Sequence, residues 1–308
     1  MNKIAITTGD PNGIGAEITI KALNHLKINK DKIVIISNNE ILNYYGKLQD
    51  SYEIIEIPYS KKDIKPGEIT KEAGEFAFQS LKKVCEIMPQ AIVTAPTAKE
   101  AMHKAGHIFN GQTEVLQHYL ANKNQQAEML FIAENFRVLL LTRHCPLKEI
   151  TLTKDLVKTK IKNTFQVFQN KLKIKNPQFA LCGLNPHAGE NGILGKEELE
   201  ILIPAVKELN EEGINITKPL PADTLFVDAA KHYFNKTKDK YDCYIATYHD
   251  QGLIPIKTVA GMNTVNTTIG LDIIRTSPGH GTAFDIAGKN IANYLGMVAA
   301  IEQAENLL

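Results

Sequence analysis

Short apolar runs alternate with helix-length amphipathic stretches along most of this chain. Lys3–Thr8, Lys32–Ser37 and Tyr52–Ile57 are the first such runs, and each reads as a buried strand. A helix is expected from near Ile14 to about Leu26, and a helix-compatible segment separates the second and third strands. In Glu72–Met88, Ala73, Phe76, Ala77, Leu81, Val84 and Met88 recur at helical spacing, so one face of that helix covers a sheet. Ala91–Ala95 is a further strand closing in Pro96-Thr97, and Lys99–Lys104 reads as a short helix. Another helix follows the polar, Gly-broken segment Phe109–Glu114, where Thr113 is either its N-cap or a ligand contact.

The pattern changes at Glu128–Ala133 and Phe136–Leu141, two apolar runs separated only by Glu134-Asn135, a hairpin signal. An antiparallel pair inside a strand–helix series points to a second domain. We therefore expect a first α/β domain from residues 1–109 plus 265–308 and a second from residues 110–264. Lys154–Asn170 is a helix with a cationic face expected to be solvated. After the run Phe179–Leu184, the loop NPHAGENGILGKEE is kept open by Gly189, Gly192 and Gly195 until a helix at Glu197–Leu209. Asp223 follows a stiff Pro-Leu-Pro turn and is either an N-cap or an active-site carboxylate. Asn263–Ile269 is a polar strand suited to a cleft wall, and the last helix, Asn290–Leu308, should bury Ile291, Leu295, Val298 and Ile301.

Three of the apolar runs end in the same way. Phe136–Leu141 leads to His144, Phe179–Leu184 to His187, and Asp242–Thr247 to Tyr248-His249-Asp250-Gln251, with Gly252 breaking the strand. Ligands of open parallel sheets bind just outside the carboxyl ends of the strands, and three imidazoles at one edge suit a metal site with an open position. Each histidine can equally be a hydrogen-bonded structural residue. Strand Lys3–Thr8 ends in Gly9-Asp10-Pro11-Asn12-Gly13-Ile14-Gly15, which is neither a Walker A loop nor the GxGxxG dinucleotide turn. Its glycines serve a tight turn or let backbone amides approach an anion or cofactor.

Composition narrows the class. The 308 residues are 44% hydrophobic and 22% charged, ordinary for a globular protein of two domains. A formal net charge of +1 gives no field for nucleic acid or an anionic membrane. Cys85, Cys145, Cys182 and Cys243 form no CxxC pair, which points to a reduced, cytoplasmic protein without a disulfide framework. No run approaches the ~20 apolar residues of a membrane span, and a chain that enters a strand at Lys3 is expected to carry no signal peptide.

The segments GDPNGIG, TAPTAKEAM, GQTE, GLNPHAGENG, PLPADTLF, YHDQGLIPIK and IRTSPGHGTAFDIAGK together resemble the 4-hydroxythreonine-4-phosphate dehydrogenase family of vitamin B6 biosynthesis over nearly the full chain. HGTAFDIAGKNIAN also resembles the adenosine-binding loop of the isopropylmalate and isocitrate dehydrogenases. The resemblance implies two α/β/α domains with mostly parallel sheets in a non-Rossmann fold, and a homodimer whose active site lies at the subunit interface. It implies a divalent metal (zinc, magnesium or cobalt) on His144, His187 and His249, one of them from the other subunit. Substrate contacts would come from Gln112, Thr113, Lys257, Asn266 and Arg275, with Asp223 nearby. Lys257 and Arg275 both sit in segments that look too apolar for simple solvation. NAD, or alternatively NADP, would bind Gly279, His280, Gly281, Asp285 and Asn290, unless Asp285 only braces its loop.

The implied substrate is a small phosphorylated hydroxy amino acid, 4-phosphooxy-L-threonine, oxidised at its C3 hydroxyl. The metal polarises that hydroxyl as a Lewis acid, hydride passes to the nicotinamide, and the β-keto acid product loses CO₂ to give 3-amino-2-oxopropyl phosphate. Asp223, Asp250 and Lys257 are the candidate proton acceptors. One position departs from the family pattern: Gln112 stands where GHTE has histidine, so no proton can be shuttled there. A paralogue acting on phospho-threonate or phospho-erythronate is the nearest alternative. A phosphate acyltransferase would need neither the three histidines nor the HGTAFDIAGK loop, and a non-catalytic metal-binding protein would leave so polar a cleft unexplained.

Overall fold

A computed structural model describes residues 3–122 and 125–308 of the chain. Two compact units make it up, Met1–Ala127 with Val265–Leu308, and Glu128–Thr264. In chain order the first unit supplies β1 (Ile4–Thr7), α1 (Gly15–His25), β2 (Ile33–Ser37), α2 (Asn39–Tyr45), β3 (Glu53–Glu56), α3 (Lys71–Ile87), β4 (Ala91–Thr94), α4 (Lys99–Lys104) and α5 (Gln112–Leu120). The second unit follows with β5 (Glu128–Ala133), β6 (Phe136–Leu140), α6 (Lys154–Asn170), β7 (Phe179–Leu181), α7 (Ile203–Glu211), α8 (Ala222–Asn235), β8 (Cys243–Ala246) and α9 (His249–Ala260). The chain then returns to the first unit with β9 (Val265–Ile269), β10 (Ile274–Pro278) and α10 (Leu295–Asn306).

In the first unit β1 lies between β2 and β4 and is parallel to both, with β3 beyond β2 and β10 beyond β4. Among the described residues of this unit, only β9 runs antiparallel, against β10. The central strands are buried on both faces because helices cover both. Ile4, Ile6, Ile33 and Ile35 pack with α1 and α10 through Ile18, Leu23, Met297 and Ile301, while the alternate residues Ala5, Val34, Ile36 and Ile92 pack with Phe76 and Val84 of α3. Strands are added on one side of β1 and then on the other, so the direction of winding reverses between β1 and β4. In open α/β sheets the crevice at the carboxyl ends of such a strand pair is where ligands bind.

Two sequence expectations change here. Helix α5 belongs to the first unit, not the second, because Val115 packs with Phe78, Leu81 and Met102, which moves the crossing from residue 110 to Ala127/Glu128. The last helix starts at Leu295 instead of Asn290, leaving Ile291 65% and Leu295 43% exposed, while Val298 and Ile301 are buried as expected. Asn290 has a left-handed backbone (φ 57°), and the amide of Ala292 is held by Glu17 Oε1 at 2.8 Å, so no helix forms there.

In the second unit β7, β8 and β6 are neighbouring parallel strands, and β5 pairs antiparallel with β6. Gly252 does not end a strand; it lies in the first turns of α9. A Cβ at that position would stand 2.7 Å from Leu140 Cδ2 and 2.8 Å from Val138 Cγ1, so the glycine lets α9 lie close on the sheet. The cationic face of α6 is only partly solvated. Lys154, Lys158 and Lys162 pair with Glu208 and Glu212, and Lys160 is buried against Glu128. Burial lowers the Lys160 amine and raises the Glu128 carboxyl, each opposed by the charge of the other.

Candidate active site

The winding reversal of the first unit carries a buried cation. Arg275 on β10 is 4% exposed. Its Nε and Nη2 donate to Thr94 Oγ1 at 2.9 and 2.6 Å, Nη1 donates to Thr268 Oγ1 at 3.4 Å, and Nη2 also donates to Gln112 Oε1 at 3.2 Å. All three partners are neutral, and Glu114 acts on the guanidinium only as a charge at longer range. Burial pulls Arg275 down to about 10, so it stays a cation at neutral pH. Register explains the grouping. Arg275 faces Thr268, and Ser277 faces Asn266, so all four share one face of the β9–β10 pair. The Oδ1 of Asn266 and the Oγ1 of Thr267 are buried and have no hydrogen-bond partner among the described residues.

Thr113 is buried but is not the cap of α5. Gly111 holds the N-cap position and offers no side chain, so Thr113 lies within the first turn. An uncapped helix start beside a buried arginine is a favourable place for an anion.

At the end of β1, Asp10 is buried. Its Oδ1 accepts from Asn12 N at 2.9 Å, while Oδ2 has no partner among the described residues. Burial raises its carboxyl to about 6, against the lowering effect of backbone amides at Asn12 and Ala98. Because the folded value lies above the unfolded 3.8, the native state holds this proton more tightly. Its stabilising contribution is full below the unfolded value and is lost as pH rises to about 6. Asp10→Asn is therefore expected to be more stable relative to wild type at pH 7 than at pH 4, by roughly 2–3 kcal/mol. Urea unfolding of both proteins at the two pH values checks this, and an unchanged difference would reject it.

The loop after β10 contains Gly279, His280, Gly281, Asp285 and Asn290. His280 Nδ1 lies 3.1 Å from Gly281 O, and Asp285 is exposed. The Gly-rich turn of residues 9–15 packs on this loop. Ile14 N donates to Thr282 O at 3.0 Å, Lys21 Nζ donates to Asn290 O at 3.0 Å, and a Cβ on Gly13 would meet Thr282 Cβ at 3.0 Å. The turn thus holds the loop in place, a role its sequence left open.

In the second unit, the parallel order of β6, β8 and β7 sends His144, His249 and His187 to one sheet edge. The rings of His144 and His249 are 5.5 Å apart between centroids at 49° and line one cavity with Arg143, Tyr248 and Asp250. His187 lines a neighbouring cavity with Asp223, Tyr248 and Gln251. Among the described residues, no group of three or more His, Cys, Asp or Glu side chains stands close enough within one chain to hold a metal ion. His187 through Asn191 all have left-handed backbones. Non-glycine residues pay for that conformation with strain, which persists where the surroundings enforce it. Here buried Glu198 accepts from Asn185 N at 2.8 Å and Asn185 Nδ2 at 2.9 Å.

The carboxylates and lysine of this edge differ in their commitments. Asp250 Oδ1 lies 2.7 Å from His249 Nδ1, which orients the ring and leaves Nε2 as its outward nitrogen. Asp223 is exposed in the first turn of α8, whose N-cap is Pro221, so it is not the cap. Lys257 lines a surface hollow with His249, Asp250 and Leu253. It is exposed in the single chain, contrary to the expectation from its apolar neighbours, although partial burial of its amine lowers its pKa. Sequence reasoning missed Thr94 and Thr268 as the seat of Arg275. It also missed that Gln251 ties two strand ends, accepting from Thr247 N at 2.8 Å and donating to Gly183 O at 2.7 Å. No helix among the described residues is long and apolar enough to cross a membrane.

Residues 2–304 match the family described as pyridoxal phosphate biosynthetic protein PdxA. The chain belongs to the PdxA family. A 4-hydroxythreonine-4-phosphate dehydrogenase of Sulfurihydrogenibium sp. (strain YO3AOP1) is 39% identical to this PdxA-family chain, over 99% of it and 98% of the relative. A D-threonate 4-phosphate dehydrogenase of Pectobacterium atrosepticum is 35% identical with the same coverage, 99% and 98%. The crystal structure of 4-hydroxythreonine-4-phosphate dehydrogenase from Klebsiella pneumoniae superposes with a TM-score of 0.85 at 34% identity, covering 99% of this chain and 98% of that one. Isocitrate dehydrogenase from Methylococcus capsulatus, 15% identical with a TM-score of 0.52 over 100% of this chain and 88% of that one, shares the fold alone. The PdxA-family chain thus has the isocitrate dehydrogenase-like α/β fold expected from its sequence.

Proposed function

We propose that this PdxA-family chain is a metal-dependent, NAD-linked 4-hydroxythreonine-4-phosphate dehydrogenase of vitamin B6 biosynthesis. A hydride passes from C3 of 4-phosphooxy-L-threonine to NAD and the C3 hydroxyl loses its proton, forming 2-amino-3-oxo-4-phosphooxybutanoate. That β-keto acid loses CO₂ to give 3-amino-2-oxopropyl phosphate. The observation that carries the reading is Arg275, a buried cation bonded only to neutral side chains beside an uncapped helix start. A phosphate or carboxylate is the partner such a group lacks. Asn266 and Thr113 are the proposed hydrogen-bonding contacts beside it.

His144, His187 and His249 are the proposed metal ligands. Their donor set fits a borderline ion such as zinc or cobalt better than magnesium, and the Asp250 bond to His249 Nδ1 suits a ligating imidazole. We propose that a second copy of the chain completes the set in a homodimer. A bound divalent ion would supply Lewis acidity toward the substrate hydroxyl. Lys257 is the proposed proton acceptor, because Asp250 is committed to His249 and burial already lowers the Lys257 amine.

NAD is the proposed occupant of the loop of Gly279, His280, Gly281, Asp285 and Asn290, preferred over NADP on charge. The exposed Asp285 carboxylate would accept from a ribose hydroxyl and repel a 2′-phosphate. Asp285→Asn is expected to reduce the NAD-over-NADP preference about tenfold with metal content unchanged. Equal loss with both cofactors and lower stability would make Asp285 structural.

The function itself is tested by NADH absorbance with 4-phosphooxy-L-threonine and with D-threonate 4-phosphate, each with and without chelator. Faster turnover of the first, abolished by chelator, supports the proposal. Preference for the second would move the chain to the activity named for the Pectobacterium relative.

A further inference from the structure

We propose that Gln112 is a positioning residue that sets Arg275 as the anion seat. The proposal rests on the reading of Arg275 given above. Gln112 opens α5 and is half-buried. Its amide nitrogen donates to Ala95 O at 3.1 Å, and its amide oxygen accepts from Arg275 Nη2 at 3.2 Å. These two bonds fix which way the amide points. Turning it over would set NH₂ against a guanidinium that only donates, and oxygen against a carbonyl that only accepts.

The geometry also limits what Arg275 can offer. A guanidinium has five N–H groups. Nε and both hydrogens of Nη2 are used on Thr94 and Gln112, and one hydrogen of Nη1 on Thr268. The other Nη1 hydrogen is left to meet a ligand anion, and its direction is set by the bonds at the opposite end of the group. Gln112 closes that arrangement from the helix, while Thr94 and Thr268 close it from the strands. As a neutral acceptor it does so without cancelling the positive charge, which a carboxylate there would do. This residue stands where the family pattern has histidine. A neutral imidazole can donate from one nitrogen and accept at the other, so one tautomer reproduces both bonds.

The test compares Gln112→Met, Gln112→His, Gln112→Glu and Arg275→Met for KM, kcat and the affinity for inorganic phosphate measured by calorimetry. Gln112→Met should raise KM and weaken phosphate binding about tenfold, with kcat within about twofold. Gln112→His should regain most of that loss, whereas Gln112→Glu should exceed it by pairing with Arg275. Unchanged KM and phosphate affinity in Gln112→Met would overturn the proposal. So would a fall in kcat at constant KM, which would place Gln112 at the reacting atoms. If Arg275→Met also leaves phosphate affinity unchanged, the anion seat itself is wrong. If only Arg275→Met weakens it, the seat stands and the role of Gln112 falls.

Discussion

Arg275→Met is expected to raise the KM for the phosphorylated substrate about a hundredfold or more while the folded protein keeps, or gains, stability. The two effects have opposite signs for one physical reason. Burying a guanidinium costs desolvation energy that neutral hydroxyl and amide partners offset only in part, so an apolar side chain of similar length relieves the cost. Binding goes the other way. Truncating one partner of a desolvated charge pair costs about 2–5 kcal/mol, or roughly 30- to 4,000-fold in affinity. The buried site of Arg275 and its bonds to Thr94, Thr268 and Gln112 place it in this class. Initial rates and urea midpoints on the same preparations check both halves. A variant with lower stability and unchanged KM would mean that Arg275 braces β10 against β4 and binds nothing.

Legibility in the sequence follows the length of the pattern that carries each feature. The strand-end histidines are visible because three apolar runs each stop in a polar cluster, and parallel pairing of β6, β8 and β7 turns that repeat into one edge. Gly252 misleads because a glycine after an apolar run looks the same whether it breaks a strand or lets a helix approach one; only Val138 and Leu140, far away in sequence, decide it. Ile291 and Leu295 fit a helical stripe, yet the bond from Ala292 N to Glu17 Oε1 holds that backbone out of helix. Thr94 and Thr268 are threonines on strands, indistinguishable from core-facing ones until register sets them around Arg275. Gln112 is visible as a departure from a family pattern, but its two bonds run to residues no local spacing identifies.

His249→Ala is expected to lower kcat by about three orders of magnitude or more, through metal loss and not through unfolding. Removing one of the three proposed ligands would leave a divalent ion two protein donors and an open, hydrated sphere, lowering both its affinity and its Lewis acidity. His249 is the most informative of the three. It begins α9, its ring stands 5.5 Å from that of His144, and its Nδ1 is bonded to Asp250. Asp250→Asn should then act in the same direction but more weakly, about 10- to 100-fold in metal affinity, since it removes only the charge that orients the ring. Metal content after dialysis, read together with circular dichroism, separates the outcomes without relying on activity. Graded loss, with Asp250→Asn between wild type and His249→Ala and all three folded, fits ligation. Full metal retention in His249→Ala, His144→Ala and His187→Ala would make these residues hydrogen-bonded ends of strands, and the dehydrogenase reading would lose its metal.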